Sequence, residues 1–197
     1  MVKETNNTWK SYIEKTKNNP PRPLLLKALE KIELKESALD LGAGSLNDSK
    51  YLIHFGFKNV TAIDKTSCPK EILEEIVSKK FTYIISDFES HKFPKNKYNL
   101  ISAQYSLPFI KKNMFQEVFN NIVESLKKEG IFTGQLFGNR DEWNDGKDDM
   151  SFHTIKESKE LLSSFEFIIF EEKEYNHVLV NNKPKHWHIF DFIIKKR

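Results

Sequence analysis

The chain has 197 residues, 39% hydrophobic and 30% charged, with a formal net charge of only +3. That size suits one domain able to bury a substantial core, and so weak a positive charge gives no argument for a nucleic-acid partner. The single cysteine, Cys68, excludes an internal disulfide and a cysteine-rich metal cluster. No apolar run approaches the ~20 residues of a membrane span, so no membrane partner is expected.

The opening stretch, Met1-Val2-Lys3-Glu4-Thr5-Asn6-Asn7, is polar and lacks the apolar core of a signal peptide, so a cytoplasmic protein is expected. Trp9 and Tyr12 are the main apolar positions before the turn Asn18-Asn19-Pro20-Pro21-Arg22-Pro23. That turn suits a helix start, and Leu25, Ala28, Leu29 and Ile32 follow at helical spacing. Ser37–Leu41 reads as a short buried strand ending in glycines. Helices are expected at Asn47–Phe55 and 69–78, and strands at 59–63, 81–86 and Tyr98–Ala103.

The next helix has the clearest pattern, with Phe115, Val118, Phe119, Ile122 and Leu126 on one face. Asn113 and Gln116 are placed for a capping box, Lys127 and Lys128 for a last turn, and Gly130 for a stop. A strand at 131–137 follows, then a helix after Thr154, then strands at 165–171 and 187–195 joined hairpin-fashion around Asn181-Asn182-Lys183-Pro184. Strands alternating with helices imply an α/β, doubly wound, mostly parallel sheet with helices on both faces. One domain over residues 1–197 is expected, with 1–23 as an N-terminal lid or helical extension.

In such a sheet, ligands bind beyond the carboxyl ends of the strands where the winding reverses. The first strand ends there in Asp40-Leu41-Gly42-Ala43-Gly44-Ser45-Leu46-Asn47-Asp48. Gly42 and Gly44 permit a sharp turn and close approach to a ligand. Asp64, closing the second strand, can accept hydrogen bonds from ribose hydroxyls. Two glycines and a later acid suit any nucleotide, but the flanking charges discriminate. Asp40 and Asp48 would repel a pyrophosphate and suit a ligand carrying an ammonium and a sulfonium.

These residues resemble those of class I S-adenosylmethionine-dependent methyltransferases. Leu39-Asp40-Leu41-Gly42-Ala43-Gly44 matches the first motif of that family and Val60-Thr61-Ala62-Ile63-Asp64 the second. Ile85-Ser86-Asp87-Phe88 resembles the third, and the segment from Ile101 through Gln104 and Tyr105 to Phe109 resembles the loop that faces the transferred methyl. Phe137-Gly138-Asn139-Arg140-Asp141-Glu142-Trp143 and His186-Trp187-His188-Ile189-Phe190 are similar to the tellurite-resistance methyltransferase subgroup. One departure is Leu46, where the family often has a third glycine.

The resemblance implies a Rossmann-like sheet of seven strands, the last antiparallel. It implies S-adenosylmethionine as cofactor, S-adenosylhomocysteine as product, and no metal. Asp40, Gly42, Ala43, Gly44, Asn47, Asp48, Asp64 and Lys65 would hold the cofactor. Asp40 would take its ammonium, and Asp87 and Phe88 would bracket the adenine. Gln104 and Tyr105 would face the methyl.

Direct displacement from a sulfonium needs alignment and exclusion of water, and a base only where the acceptor must lose a proton. Tyr105 and His153 are the candidate catalytic groups, and Asp141, Glu142 and Trp143 candidates for the acceptor side. Trp9, Tyr12 and Arg22 could close over the cofactor, with Arg22 pairing with its carboxylate. His186 and His188 share a strand face but lack a third metal ligand, and read as satisfied strand histidines. Asn19-Pro20-Pro21-Arg22 resembles the Asn-Pro-Pro-aromatic loop of amino-group methyltransferases without its aromatic, and reads as a helix-start turn. Cys68 reads as a passive thiol and the lysine clusters as solvated surface. A small-molecule acceptor is expected. The alternatives are a non-catalytic binding module of the same fold and a nucleotide-binding oxidoreductase.

Overall fold

The computed structural model describes residues 6–76 and 79–197. Helices α1 (Asn6–Thr16) and α2 (Pro23–Leu29) precede β1 (Ser37–Leu41), α3 (Asn47–Phe55), β2 (Asn59–Asp64), α4 (Lys70–Glu74), β3 (Phe81–Ile85) and β4 (Tyr98–Ala103). A short 3-10 turn (Leu107–Phe109), α5 (Phe115–Ser125), β5 (Leu126–Gly138), β6 (Phe152–His153), α6 (Ile155–Leu161), β7 (Glu166–Val178) and β8 (Pro184–Lys195) complete the chain. The helix expected over 69–78 is shorter, ending at Glu74, and Val77 and Ser78 lie outside the described residues. No helix among the described residues is long and apolar enough to cross a membrane.

The sheet order is β3-β2-β1-β4-β5-β8-β7. Strands β3 to β5 are parallel, β8 runs antiparallel to β5, and β7 antiparallel to β8. The sheet has eight strands rather than the expected seven. The eighth, β6, pairs with Phe137 and Gly138 of β5, beyond the last β4 pairing at Gly134. A two-residue strand carries no alternation pattern by which a sequence could announce it.

The period of two along each strand sorts the core into two faces. Leu39, Leu41, Ile101, Phe132 and Phe192 meet α5 through Val118, Phe119 and Ile122. Ala38, Val60, Leu100, Ile131 and Ile193 meet Leu25, Ala28 and Leu29 of α2 and Leu52 of α3. All these side chains are buried, each contributing about 1.5–3 kcal/mol where a full aliphatic or aromatic side chain leaves water.

The expected ends of α5 are corrected. Met114 precedes the helix with no side-chain cap, and Gln116 Nε2 donates to Asn120 Oδ1 instead. The helix stops at Ser125, and Lys127, Lys128 and Gly130 belong to the irregular start of β5, where Leu126 pairs with Tyr98. Leu126 satisfies the helical period, but its burial is met from an extended backbone. A capping box does occur one helix later, where Thr154 and Glu157 exchange hydrogen bonds at the start of α6. The closing hairpin is longer than the sequence pattern suggests, because charged residues such as Glu172 and Glu174 continue the ladder past the apolar run.

Candidate active site

The winding reverses at β1, which lies between β2 and β4. The β1–α3 loop turns there with Gly42 at φ +72° and Gly44 at φ +49°. A Cβ on Gly42 would sit 2.4 Å from the Cβ of Ser106, whose hydroxyl donates to Leu41 O at 2.7 Å. The glycine therefore lets the loop after β4 close against the loop after β1. Leu46 also takes the left-handed region, at φ 63°. Its side chain is fully buried with Ile13, Ala62, Cys68 and Ile72, and it does not line the cleft above the loop.

That cleft measures about 870 Å³. Asp40, Gly42, Ala43, Gly44, Asn47 and Asp48 line it from the β1–α3 segment, Asp64 and Lys65 from the end of β2. Asp87 and Phe88 reach it after β3, Gln104 and Tyr105 after β4, and Arg22 from the turn before α2. Trp9 and Tyr12 of α1 cover part of it.

Three carboxylates are the electrostatic feature of this cleft. Burial, with Asp48 and then Asp64 close by, pushes the Asp40 carboxyl up to about 8 against the hydrogen bond from Ser49. The Ser49 hydroxyl donates to it at 2.6 Å. Burial also raises Asp48, whose Oδ1 accepts the Arg22 backbone N–H at 2.8 Å. Asp64 is raised by burial too, while its two oxygens accept the Gly44 and Thr66 N–H groups at 2.9 and 2.8 Å. A carboxylate has about four acceptor positions, so Asp64 retains capacity for further donors.

The N-terminal segment is tied to this loop. Asn47 Nδ2 donates to Thr16 O at 2.7 Å, and the Thr16 and Ser45 hydroxyls share a hydrogen bond. Arg22 Nη2 donates to the Tyr12 hydroxyl at 2.8 Å, and its guanidinium lies 5.2 Å from the Tyr105 ring centre. Trp9 stands edge-on to Tyr12 and to Phe109. Its indole Nε1 is buried without a hydrogen-bond partner among the described residues.

The other half of the cleft is walled by rings: Tyr105, Phe109, Phe137, Trp143 and Trp187. Trp187 lies 5.7 Å from Tyr105 and 5.6 Å from both Phe137 and Trp143. Tyr105 sits at φ 57°, its N–H donating to Gln135 Oε1 at 2.9 Å. Burial and a hydrogen bond with Tyr175 hold its hydroxyl well above the usual phenol range. Gln104 is spanned by Ser102 and Gln135, and Gln135 also donates to Asp191 at 3.0 Å.

Some candidates lie elsewhere. His153 does not line the cleft. Its ring packs 4.6 Å from Phe115, its Nδ1 is buried without a partner among the described residues, and burial lowers its pKa. Asp141 is buried beneath the rings, accepting from Lys185 Nζ and from the Trp143 and His188 N–H groups. Glu142 accepts from the His186 N–H. His188 Nε2 pairs with Glu172 at 2.8 Å and His186 Nε2 with Glu174 at 3.0 Å. The Cys68 thiol is buried and pushed up to about 11. Among the described residues no cluster of His, Cys, Asp or Glu is placed to hold a metal ion.

Sequence reasoning did not single out Lys185, Gln135, Tyr175 or the hairpin tip, which line or back the cleft. The residues are far apart in sequence. Only the alternation that puts Phe137 and Gln135 on one face of β5 hinted at their partnership.

Residues 38–130 match the family model of a methyltransferase domain. No curated protein matches the sequence. Among solved structures, the 1,6-didemethyltoxoflavin-N1-methyltransferase of Burkholderia thailandensis aligns with 17% identity and a TM-score of 0.71, over 99% of this chain and 84% of that one. TehB of Haemophilus influenzae aligns with 16% identity and a TM-score of 0.72, over 96% and 67% of the two chains. A putative methyltransferase of Haloferax volcanii, solved in complex with the Trm112 activator, aligns with 12% identity and a TM-score of 0.73, over 99% and 97%. The matched segment carries the glycine turn and the strand ends that line the cleft, and the fold is similar to that of these solved methyltransferases.

Proposed function

We propose that this single domain transfers a methyl group from S-adenosylmethionine to a small-molecule acceptor, with α1 as a lid over the cofactor. The observation that carries this reading is a trio of carboxylates around a glycine turn, Asp40 and Asp48 buried and Asp64 half-buried, facing a cleft whose opposite half is aromatic. The residues fit such a cofactor. Asp40 and Asp48 are buried acids beside one another with only Arg22 as a charged neighbour to lower them, and a cation favours their ionised form. The unpartnered Trp9 Nε1 is a donor free for a ligand atom.

Bound in this cleft, the cofactor supplies a methyl already activated by its sulfonium. Asp64 accepts from the ribose hydroxyls, Asp40 and Asp48 hold the ammonium, and Asp87 with Phe88 brackets the adenine. Arg22 pairs with the carboxylate of the methionine moiety, while Ala43, Asn47 and Lys65 complete the wall. Gln104 and Tyr105 stand at the reacting end, and the rings exclude water.

Calorimetric titration with S-adenosylmethionine, S-adenosylhomocysteine and a nicotinamide dinucleotide tests the reading. Binding of both sulfur nucleotides is expected. Binding of the dinucleotide alone would establish an oxidoreductase instead. Binding of the sulfur nucleotides without transfer to any acceptor in a metabolite panel would leave a non-catalytic module.

A further inference from the structure

The rings of the acceptor half already carry cations. Lys185 Nζ lies 3.8 Å from the ring centre of Trp187, 4.3 Å from that of Trp143 and 5.3 Å from that of Phe137. Lys65 Nζ lies 5.4 and 5.8 Å from Trp9 and Phe109, and the Arg22 guanidinium 5.2 Å from Tyr105. Lys185 is 1% exposed and does not line the cleft, so the three rings stand between it and a ligand. Asp141 balances the charge of this buried pair, but the ammonium is the half that touches the rings.

A ring attracts a cation through its negative face. With a resident cation already beside each of these rings, the box offers a further cation little and an electron-rich or negative group more. The cleft's carboxylates, from Asp40 to Glu89, all lie at the ends of β1 and β2 or in the segments after β1 and β3. At the acceptor half the titratable groups are tyrosines, the exposed His177 at the hairpin tip, and the cations themselves. Among the described residues no carboxylate lines that half; Asp141 and Asp191 lie behind it, held by Lys185 and by Lys173 and Gln135.

We propose, resting on the methyl-transfer reading above, that the acceptor is a flat aromatic molecule presenting its nucleophile as an anion, such as an aryl thiolate or an acidic phenolate, and that Lys185 is the residue that sets this charge preference. The transfer then balances without a base. A lone pair of the anion forms the bond to the methyl carbon as the carbon–sulfur bond of the sulfonium breaks. The electron pair of that bond stays on sulfur, so an anion and a cation give two products with no proton moved.

The test uses the full chain saturated with S-adenosylhomocysteine and three probes sharing one ring: 1-naphthoate, 1-naphthylmethanol and 1-naphthylmethylammonium. Tryptophan fluorescence reports binding. Naphthoate is expected to bind about tenfold or more tighter than the ammonium, with the alcohol between them. Equal or tighter binding of the ammonium overturns the proposal. Failure of S-adenosylhomocysteine itself to bind sinks the methyl-transfer reading instead, so the two failures are distinct.

The double variant Lys185→Met with Asp141→Asn leaves no orphaned buried carboxylate. It is expected to cut the preference to about threefold while affinity for S-adenosylhomocysteine holds. A full preference in that variant overturns the role of Lys185. If it does not fold, Trp187→Leu keeps Lys185 and Asp141 in place and removes the ring nearest the ammonium. It is expected to cut the preference about twofold at unchanged affinity for S-adenosylhomocysteine, and an unchanged preference overturns the role of Lys185.

Discussion

The two halves of the cleft are built in opposite ways. The carboxylate half comes from contiguous segments at the ends of β1, β2 and β3, where backbone geometry and short-range hydrogen bonds place each group. The aromatic half comes from residues on α1, β5, β8 and two loops, placed by packing of rings against rings. The first half is rigid through its backbone, and the second is defined by side-chain volume. Substitutions in each should therefore fail differently.

The largest expected effect falls in the carboxylate half. Asp64→Ala removes the proposed ribose acceptor and also frees the Gly44 and Thr66 N–H groups. Hydrogen bonds to a charged group are each worth about 1.5–3 kcal/mol. Affinity for S-adenosylmethionine, measured by calorimetry, is expected to drop about 100-fold or more. Unchanged affinity would remove Asp64 from the site.

Gly42→Ala attacks the same loop through its backbone. The new Cβ meets Ser106 at 2.4 Å, in a region of φ that already disfavours a side chain. A loss of about 2–4 kcal/mol in stability is expected, read as a lowered Tm together with weakened cofactor binding. Trp187→Leu tests the other half. Its ring packs against Tyr105, Phe137 and Trp143. The acceptor KM is expected to rise about tenfold with the Kd of S-adenosylhomocysteine unchanged, since one aromatic contact pair is worth about 0.5–1.5 kcal/mol. A matching loss of cofactor affinity would show that the halves are not separable.

This difference also explains what could be read in advance. The β1–α3 turn was legible because the chemistry and the backbone requirement sit in one run, from Asp40 to Asp48. The thirteen cofactor-side and methyl-facing candidates from Arg22 to Tyr105 all line one cleft. Helical and strand periods likewise revealed α3, β1 and β4. The aromatic half was not legible, because a phenylalanine or tryptophan in a strand reads first as core. Lys185 looked like one more surface lysine among many, yet the fold buries it on Asp141. His153 shows the converse: a histidine after a strand end looked catalytic, while the two-residue β6 turns it against Phe115.

Leu46 was the departure from the family pattern, and its place in the fold sharpens the comparison. It keeps the left-handed backbone that a glycine would adopt, at a cost of about 1–2 kcal/mol, and buries its side chain beneath the loop. Leu46→Gly relieves the backbone but removes a buried leucine, a loss of about 2–5 kcal/mol when truncated to alanine. A net destabilisation of about 1–2 kcal/mol is expected by thermal unfolding. A stabilised variant would mean that the loop gains nothing from its buried side chain.

A pH dependence should act on the free and bound protein in opposite directions. Asp40 is raised from its ordinary 3.8 to about 8, and Asp48 and Asp64 are raised as well. An acid raised in the folded state binds more protons folded than unfolded, so it penalises the fold as pH climbs from about 4 toward 8. The free protein should therefore gain about 2 kcal/mol of stability on going from pH 8 to pH 6. A cationic cofactor favours the ionised carboxylates, so its affinity should fall about tenfold or more over the same interval, with proton release on binding near pH 7. Arg22 and Lys65 also face this cluster, and neither titrates in that range. Calorimetry in buffers of different ionisation enthalpy counts the proton directly. Affinity that stays flat from pH 8 to pH 6, with no proton released, would mean that the carboxylate half does not meet its ligand as a cation.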